Sequence, residues 1–506
     1  MLADPPSRPQ HGLAQRRAPL AVGPLLAISA VVVATLIAFA GSYGYHRDEL
    51  YFLAAGENLS FGYPDQGPLT PVIAALMNAI APGSLTVLRI PAALATGATV
   101  LLTGMTAREL GGNGRAQILG SAIAAVASVF LVTGHLLSTT TFDLLSWTLV
   151  CLLVARLLRG ADPRWWLVVG LVFGLALLNK PLIAFLAAGL LAGTLAVGPR
   201  QALRSGWLWL GALIALGLWA PWLVWQAGQG WPQLEVAGAI AGGGSTSSES
   251  RWAFLPFQLL LVSPVLAPVW IAGLLALLRR PSLRPFRPFA VCWVLLAAAF
   301  LLTAGKPYYL AGMFAVLIAA GAIETERWLR HGRARVRRWA LGLAIALSAV
   351  VSAVIALPVL PAGSTGPVLA ANEDVGETIG WPEFVRTVAG VSQTVPAGSP
   401  DPVIVTWNYG QAGAIDRFGP ALGLPGVFSG HNGYWQWGPP PSGSGPVLAV
   451  GFPRMQLERR FSGCRPAGRV DTPEGVDNEE DGTLLALCAG PAQPWEHLWP
   501  RLKRLG

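Results

Sequence analysis

The sequence predicts a polytopic α-helical membrane protein of about eleven transmembrane helices, followed by a small C-terminal α/β extracytoplasmic domain. Three observations carry that expectation. Of 506 residues, 53% are hydrophobic and only 12% charged, with a mean hydropathy of +0.53, which is more apolar than a soluble chain of this size requires. Apolar runs near the roughly 20 residues that cross a bilayer recur up to about position 360. The basic residues fall on alternate connections between those runs, the pattern of the positive-inside rule.

The runs lie near 20–40, 84–105, 116–134, 138–158, 165–179, 181–197, 207–225, 254–278, 289–304, 307–325 and 339–360. With the N-terminus inside, the inner segments hold twenty arginines, among them Arg17, Arg108, Arg115, Arg156, Arg284, Arg335 and Arg338. The outer loops hold only Arg47, Lys180, Arg251 and Lys306, with Arg89 at the mouth of the second run. The formal net charge of +9 therefore marks sidedness and does not point to nucleic acid. No small-residue cleavage site precedes "GSYGYHRDE", so the first run is read as a retained anchor.

Three regions follow. Residues 1–19, rich in Pro, Arg and Gln, are expected to be a disordered cytoplasmic arm, and 20–360 form the transmembrane domain. Residues 361–506 form the extracytoplasmic α/β domain, because Pro, Gly, Asn, Asp and Glu rise there and short β-like runs appear in "PVIVTWNY", "PVLAVGF" and "TLLALCAG". Within the membrane part, the outer loop 41–83 reads as structured, whereas "AGAIAGGGSTSSES" in the loop 226–253 reads as a mobile flap. Cys151 and Cys292 fall within spans as apolar fillers. Cys464 and Cys488 share the outer domain, where an oxidising compartment favours a disulfide worth roughly 3 kcal/mol.

The chemistry-bearing residues collect at the outer membrane boundary. In "YHRDELYF", Asp48 and Glu49 stand just past the first run, where carboxylates are costly unless used or paired. The alternative is a solvated loop in which His46 and Arg47 neutralise them. Asp65 in "GYPDQGPLTP" is fixed in direction by two prolines, or caps a turn. Asp143 in "STTTFDLLSW" starts the fourth run on the same side, in a region that also suits an N-cap. Lys180 in "NKPLI" and Lys306 in "GKPYYL" break apolar stretches at outer turns. Both can snorkel, but a cation beside Tyr308 and Tyr309 also suits a lipid phosphate, and an interfacial aromatic belt is the competing account of the tyrosines. Asp48, Asp65 and Asp143 are the candidate ligands should a divalent metal take part, and metal dependence is left open. No phosphate-binding G-x-x-x-x-G-K-[ST] loop occurs, so energy must arrive with the substrate.

"YHRDELYFLAAGENLSFGYPDQGPLTPVIAAL", "LRIPAALATGATVLLTGMTAREL", "GHLLSTTTFDLLSW", "NKPLIAF" and "GKPYYLAGMFAVLIAAGA" resemble the polytopic bacterial glycosyltransferases of the C-fold (GT-C) superfamily. The closer kin are the protein mannosyltransferase-like group, with the lipid A aminoarabinose transferase and the Rhizobium galacturonosyltransferases. In the tail, "NYGQAGAIDRFG", "LPGVFSGHNGYWQWG" and "VDNEEDG" are similar to the outer domain of that group. The resemblance implies a polyprenyl-phosphate sugar as donor and a glycan, lipid or protein acceptor outside the cytoplasmic membrane. It implies Asp48, with Glu49 beside it, as the catalytic carboxylate of the first outer loop, Asp143 as the second acidic position, and Lys306 with Tyr308 and Tyr309 at the donor phosphate. One departure is that relatives often carry His-Pro-Pro or Lys-Pro-Pro after the loop's acidic residue, whereas Gln66, Gly67 and Pro68 stand here. The rival readings are a lipid-linked-sugar flippase or transporter, disfavoured by the lack of an internal repeat, and a non-catalytic scaffold for envelope assembly.

Overall fold

The structure, a computed structural model, describes residues 17–242, 251–396, 399–443 and 445–506. Most of the arm expected at 1–19, and positions 243–250 of the expected flap, lie outside the described residues.

The chain is helical up to position 356. In order the helices are α1 (Val22–Phe39), α2 (Arg47–Glu57), α3 (Leu69–Ile80), α4 (Leu85–Glu109), α5 (Gly114–Ala125), α6 (Ser128–His135), α7 (Thr139–Leu158) and α8 (Trp165–Leu177). They continue as α9 (Ile183–Val197), α10 (Gly206–Gly228), α11 (Pro232–Ala241), α12 (Phe254–Val262), α13 (Ala267–Arg279), α14 (Arg287–Leu302), α15 (Phe314–Arg330) and α16 (Ala334–Ala356). Each of the eleven apolar runs is helical. By length and composition, seven helical stretches among the described residues suffice to cross a membrane, and nine if two bent pairs each count once. The expected count of eleven needs α8 and α9 as well, whose 13 and 15 residues extend only about 20 Å at 1.5 Å per residue. The eleven crossings are therefore not established by helix length.

Two runs read as single spans are broken, and the reasons are local. Pro264 drives Ser263 out of the helical region, to φ 156° and ψ 135°, and α12 and α13 meet at 109°. Between α5 and α6 the bend is 56°. Backbone groups freed at membrane depth need partners, and α16 supplies one. Ser352 Oγ donates to the Val126 carbonyl at 2.8 Å, beside a 2.9 Å contact to Ser128 Oγ. Ser348 bonds Ser263 at 2.7 Å. The centre of the bundle is α15, buried continuously from Phe314 to Ile323. It reaches α13 through glycines: a Cβ on Gly321 would stand 1.9 Å from the Val269 carbonyl oxygen, and one on Gly273 2.0 Å from that of Leu317. Small residues of this kind let membrane helices approach closely.

Among the described residues, all strands lie beyond position 400. After the short α17 (Gly366–Leu369) come α18 (Trp381–Ser392), β1 (Val403–Thr406), α19 (Tyr409–Phe418), β2 (Val427–Ser429), α20 (Gly433–Gln436), β3 (Val447–Val450) and α21 (Arg454–Arg460). The chain ends with β4 (Phe461–Ser462), β5 (Arg465–Arg469), β6 (Leu484–Cys488), β7 (Gly490–Pro491) and α22 (Trp495–Leu502). Five strands form one sheet in the order β2-β1-β3-β6-β5, with β2, β1 and β3 parallel and β6 antiparallel to both its neighbours, β3 and β5. Both faces of the middle strands are covered, as parallel strands require. Val403, Val405, Val447 and Ala449 meet Trp495, Leu498 and Trp499 of α22, whereas Ile404, Leu448 and Val450 meet Phe384 and Val388 of α18 and Ile415 of α19. A disulfide joins Cys464 and Cys488.

The second of those clusters also contains Leu50, Tyr51 and Phe52 of α2, so the sheet region and the membrane part share one apolar core. The contact is close because α19 meets α2 with glycines. A Cβ on Gly413 would stand 2.9 Å from Leu50 Cβ, and one on Gly410 2.8 Å from Arg47 Cβ.

Candidate active site

Helix α2 begins with a capping box. The Asp48 amide donates to His46 Nδ1 at 3.2 Å, and the His46 amide donates to Glu49 Oε2 at 2.8 Å. Two acids in the first turn also suit the positive end of the helix. From this shared start the neighbouring carboxylates point to different surroundings.

Glu49 is fully buried and saturated. It accepts Arg89 Nε at 2.9 Å and Nη2 at 2.8 Å, and the Leu137 amide at 2.9 Å. Arg89 in turn donates to the carbonyls of Ala40 and Gly44, at 2.9 and 2.8 Å. One ion pair thus ties the end of α1, the start of α2, α4 and the α6–α7 link. Glu49 has the geometry of an anchor.

Asp48 stays partly exposed and accepts the Tyr409 hydroxyl at 2.7 Å. Its expected neutralisers reach to acids from beyond position 361. Arg47 pairs with Glu479, lies 3.8 Å from Glu377 and sits over the Tyr409 ring. His46 Nε2 is 3.6 Å from Asp374. Burial lowers the His46 pKa, but Asp374 and Asp48 outweigh it and lift the imidazole to about 9.

The two lysines act on each other through their charges. Lys180 Nζ is 5.2 and 5.4 Å from the ring centroids of Tyr308 and Tyr309, within cation–π range, and 3.3 Å from Thr140 Oγ1. Burial lowers its pKa, and the charges of Asp143 and Asp48 oppose that. Lys306 is lowered to about 8 by burial and by Lys180, with Asp48 acting the other way. These mutual effects place Asp48, Asp143, Lys180 and Lys306 in one electrostatic neighbourhood. Asp143, near the start of α7, is buried and accepts Trp147 Nε1 at 3.0 Å. The residue before Gly305 and Lys306, Ala304, has φ 53°, a conformation costly for a side chain with a Cβ.

Asp65 links α2 to the sheet region, and the charge of Asp48 acts on it as well. It accepts Tyr51 Oη at 2.9 Å and Asn432 Nδ2 at 3.1 Å, and burial raises its pKa to about 7 against the pull of the Tyr51 bond. The departure at Gln66-Gly67-Pro68 has a packing reason. The Gly67 amide donates to the Asn179 carbonyl at 3.3 Å, and a Cβ there would lie 1.9 Å from the Leu178 carbonyl oxygen. Glycine at 67 seats the loop against the turn that carries Lys180. Gln66 is buried, with neither amide atom hydrogen-bonded among the described residues. Asp48, Asp65 and Asp143 form no metal cluster, and no group of three or more His, Cys, Asp or Glu with that geometry occurs among the described residues.

Sequence reasoning missed the contributions from beyond 361: Asp374 at His46, Glu377 and Glu479 at Arg47, Tyr409 at Asp48, and Asn432 at Asp65. Their signal was the run of polar and aromatic residues in "NYGQAG", "SGHNGYWQWG" and "VDNEEDG", which no periodicity connects to the loop 41–83.

The model of the family described as dolichyl-phosphate-mannose-protein mannosyltransferase matches residues 65–225. No curated protein matches the chain in sequence. The crystal structure of ArnT from Cupriavidus metallidurans bound to undecaprenyl phosphate aligns over 92% of this chain and 97% of its own, at 16% identity and a TM-score of 0.58. The apo form of the same protein aligns over the same shares at 15% identity and a TM-score of 0.56. Membrane bundle and sheet region together, the chain has the polytopic C-fold glycosyltransferase architecture.

Proposed function

We propose that the chain is a membrane glycosyltransferase that moves a sugar from a polyprenyl-phosphate donor to an acceptor hydroxyl outside the cytoplasmic membrane. The observation that carries this reading is the neighbourhood of one accessible carboxylate, Asp48, with two partly desolvated lysines, Lys180 and Lys306, beside Tyr308 and Tyr309. The match to a mannosyltransferase family and the undecaprenyl phosphate bound by the ArnT neighbour support the donor class.

The chemistry needs two services. Asp48 takes the proton as the acceptor oxygen attacks the anomeric carbon. The bond from that carbon to the phosphate oxygen breaks, and the lipid phosphate leaves with charge that Lys306 and Lys180 offset. A single displacement inverts the anomeric centre. Tyr409 holds Asp48 in position, and Arg47 and His46 hold the outer region against α2. The test is to incubate purified protein in vesicles with undecaprenyl-phosphate sugars and envelope acceptors, and to follow release of undecaprenyl phosphate. A protein that moves the intact donor across the bilayer without releasing lipid phosphate is a flippase, and the reading fails.

Lys306 gives this proposal a pH dependence. An ammonium with pKa about 8 binds phosphate below that pH and loses its charge as pH rises through it. Donor affinity should therefore fall between pH 7 and 9, a fall delayed in Lys306→Arg, whose guanidinium stays charged. Lys306→Met should weaken donor binding about tenfold at pH 7, the scale of one charge-assisted hydrogen bond. Unchanged affinity in Lys306→Met reassigns the lysine to snorkelling.

Orientation follows from the arginines. Cysteines placed singly at 115, 284 and 335 should resist a membrane-impermeant thiol reagent in intact cells, while one at Trp252, 91% exposed in an outer loop, should react. Labelling at 335 in sealed cells overturns the topology.

A further inference from the structure

We infer a binding site for an anionic phospholipid at the arginine-rich end of the bundle, far from Asp48, in a cleft among α5, α15 and α16. The cleft has a volume of about 440 Å³. It exists because α16 packs through its last turns, where Ser348, Ser352 and Ala356 are buried, while its first turns leave Val336 and Trp339 largely exposed.

The floor and the rim differ in chemistry. Ile118, Leu119 and Ala122 of α5 and Leu329 of α15 supply an apolar floor, which suits acyl chain and not water. Arg115, Arg330 and Arg338 stand at the rim, one from each helix. The single acid there, Glu326, is already engaged by Arg330 Nε at 2.6 Å. The side chains of Arg115 and Arg338 have no hydrogen bond or ion pair among the described residues. The site thus carries an uncompensated positive charge over an apolar wedge, complementary to a phosphodiester on two acyl chains. The chain's own residues 1–16 are a poor occupant. They hold Arg8 and Arg16 against Asp4 alone, a net positive charge that does not complement an arginine rim. The inference does not depend on the reaction at the other end.

The test uses the full chain, purified and delipidated, in mixed micelles containing either phosphatidylglycerol or phosphatidylcholine, with bound lipid counted by native mass spectrometry. Wild type should retain one phosphatidylglycerol in preference to phosphatidylcholine. Arg115→Gln with Arg338→Gln should weaken that binding about thirty-fold, the joint effect of two arginines at a membrane surface, and Arg115→Lys with Arg338→Lys should keep most of it. Ala122→Phe, which fills the floor and spares the charges, should also lose the lipid. Equal retention of both lipids, or unchanged phosphatidylglycerol binding in the double Gln variant, overturns the inference. So does displacement by soluble glycerol 3-phosphate, since that marks an anion site with no seat for the chains.

Discussion

Asp48→Asn is expected to lower sugar transfer by about a hundredfold or more, the usual range for a lost general base, while donor binding survives. The substitution is close to isosteric, and the remaining Oδ1 still accepts the Tyr409 hydroxyl that lies 2.7 Å from Asp48, so the junction between α2 and α19 should hold. What disappears is the ability to take a proton. Tyr409→Phe makes the complementary test: it removes the bond that orients Asp48 but keeps the carboxylate, and should cost less, about tenfold. Both variants should bind the lipid-linked donor with near wild-type affinity, because the proposed mechanism assigns the phosphate to Lys306 and Lys180 and not to Asp48. Normal turnover by folded Asp48→Asn protein would falsify the role of Asp48. A loss of donor binding in that variant would instead move Asp48 to the phosphate site, as a metal ligand or an anchor for Lys180.

The fold was legible where hydrophobicity is one-dimensional. Each of the eleven apolar runs is helical, because at membrane depth backbone groups have no water to turn to. The breaks were not read, although Pro264 after Ser263 was available as a signal; the α5–α6 bend rests on Ser352, more than 200 residues away, and no local pattern announces it. The candidate site divides the same way. Asp48, Asp143, Lys180 and Lys306 were visible because each is a charge beside an apolar run, and that is costly without a purpose. Tyr409, Asn432 and Asp374 come from a region whose composition makes polar residues ordinary, so their docking on residues 46–65 could be found only from the tertiary structure. Asp48 and Glu49 show the limit most clearly. Adjacent carboxylates look equivalent in sequence, yet successive residues of a helix point about 100° apart. One faces Tyr409 and the other the interior.

Glu49→Gln tests that difference, and the expected result is a loss of stability with little loss of chemistry. Glu49 accepts four hydrogen bonds, from the His46 and Leu137 amides and from Nε and Nη2 of Arg89. Each carboxylate oxygen takes two of them. A glutamine has one acceptor oxygen, and its amide group, placed at either position, meets two donors where an acceptor stood. Arg89, only 1% exposed, is left as a buried charge without its counter-ion. Breaking such a pair on one side costs roughly 3–5 kcal/mol, and the damage spreads because Arg89 also holds the carbonyls of Ala40 and Gly44. Glu49→Gln protein should therefore express poorly and melt well below wild type in detergent. The fraction that folds at low temperature should turn over within a few-fold of wild type. Replacing both partners with apolar residues, Glu49→Leu with Arg89→Met, should recover part of the lost stability, since no charge is then stranded. The opposite pattern, a Glu49→Gln protein that melts like wild type but turns over a hundredfold more slowly, would make Glu49 the group that handles the proton and leave Asp48 as its support.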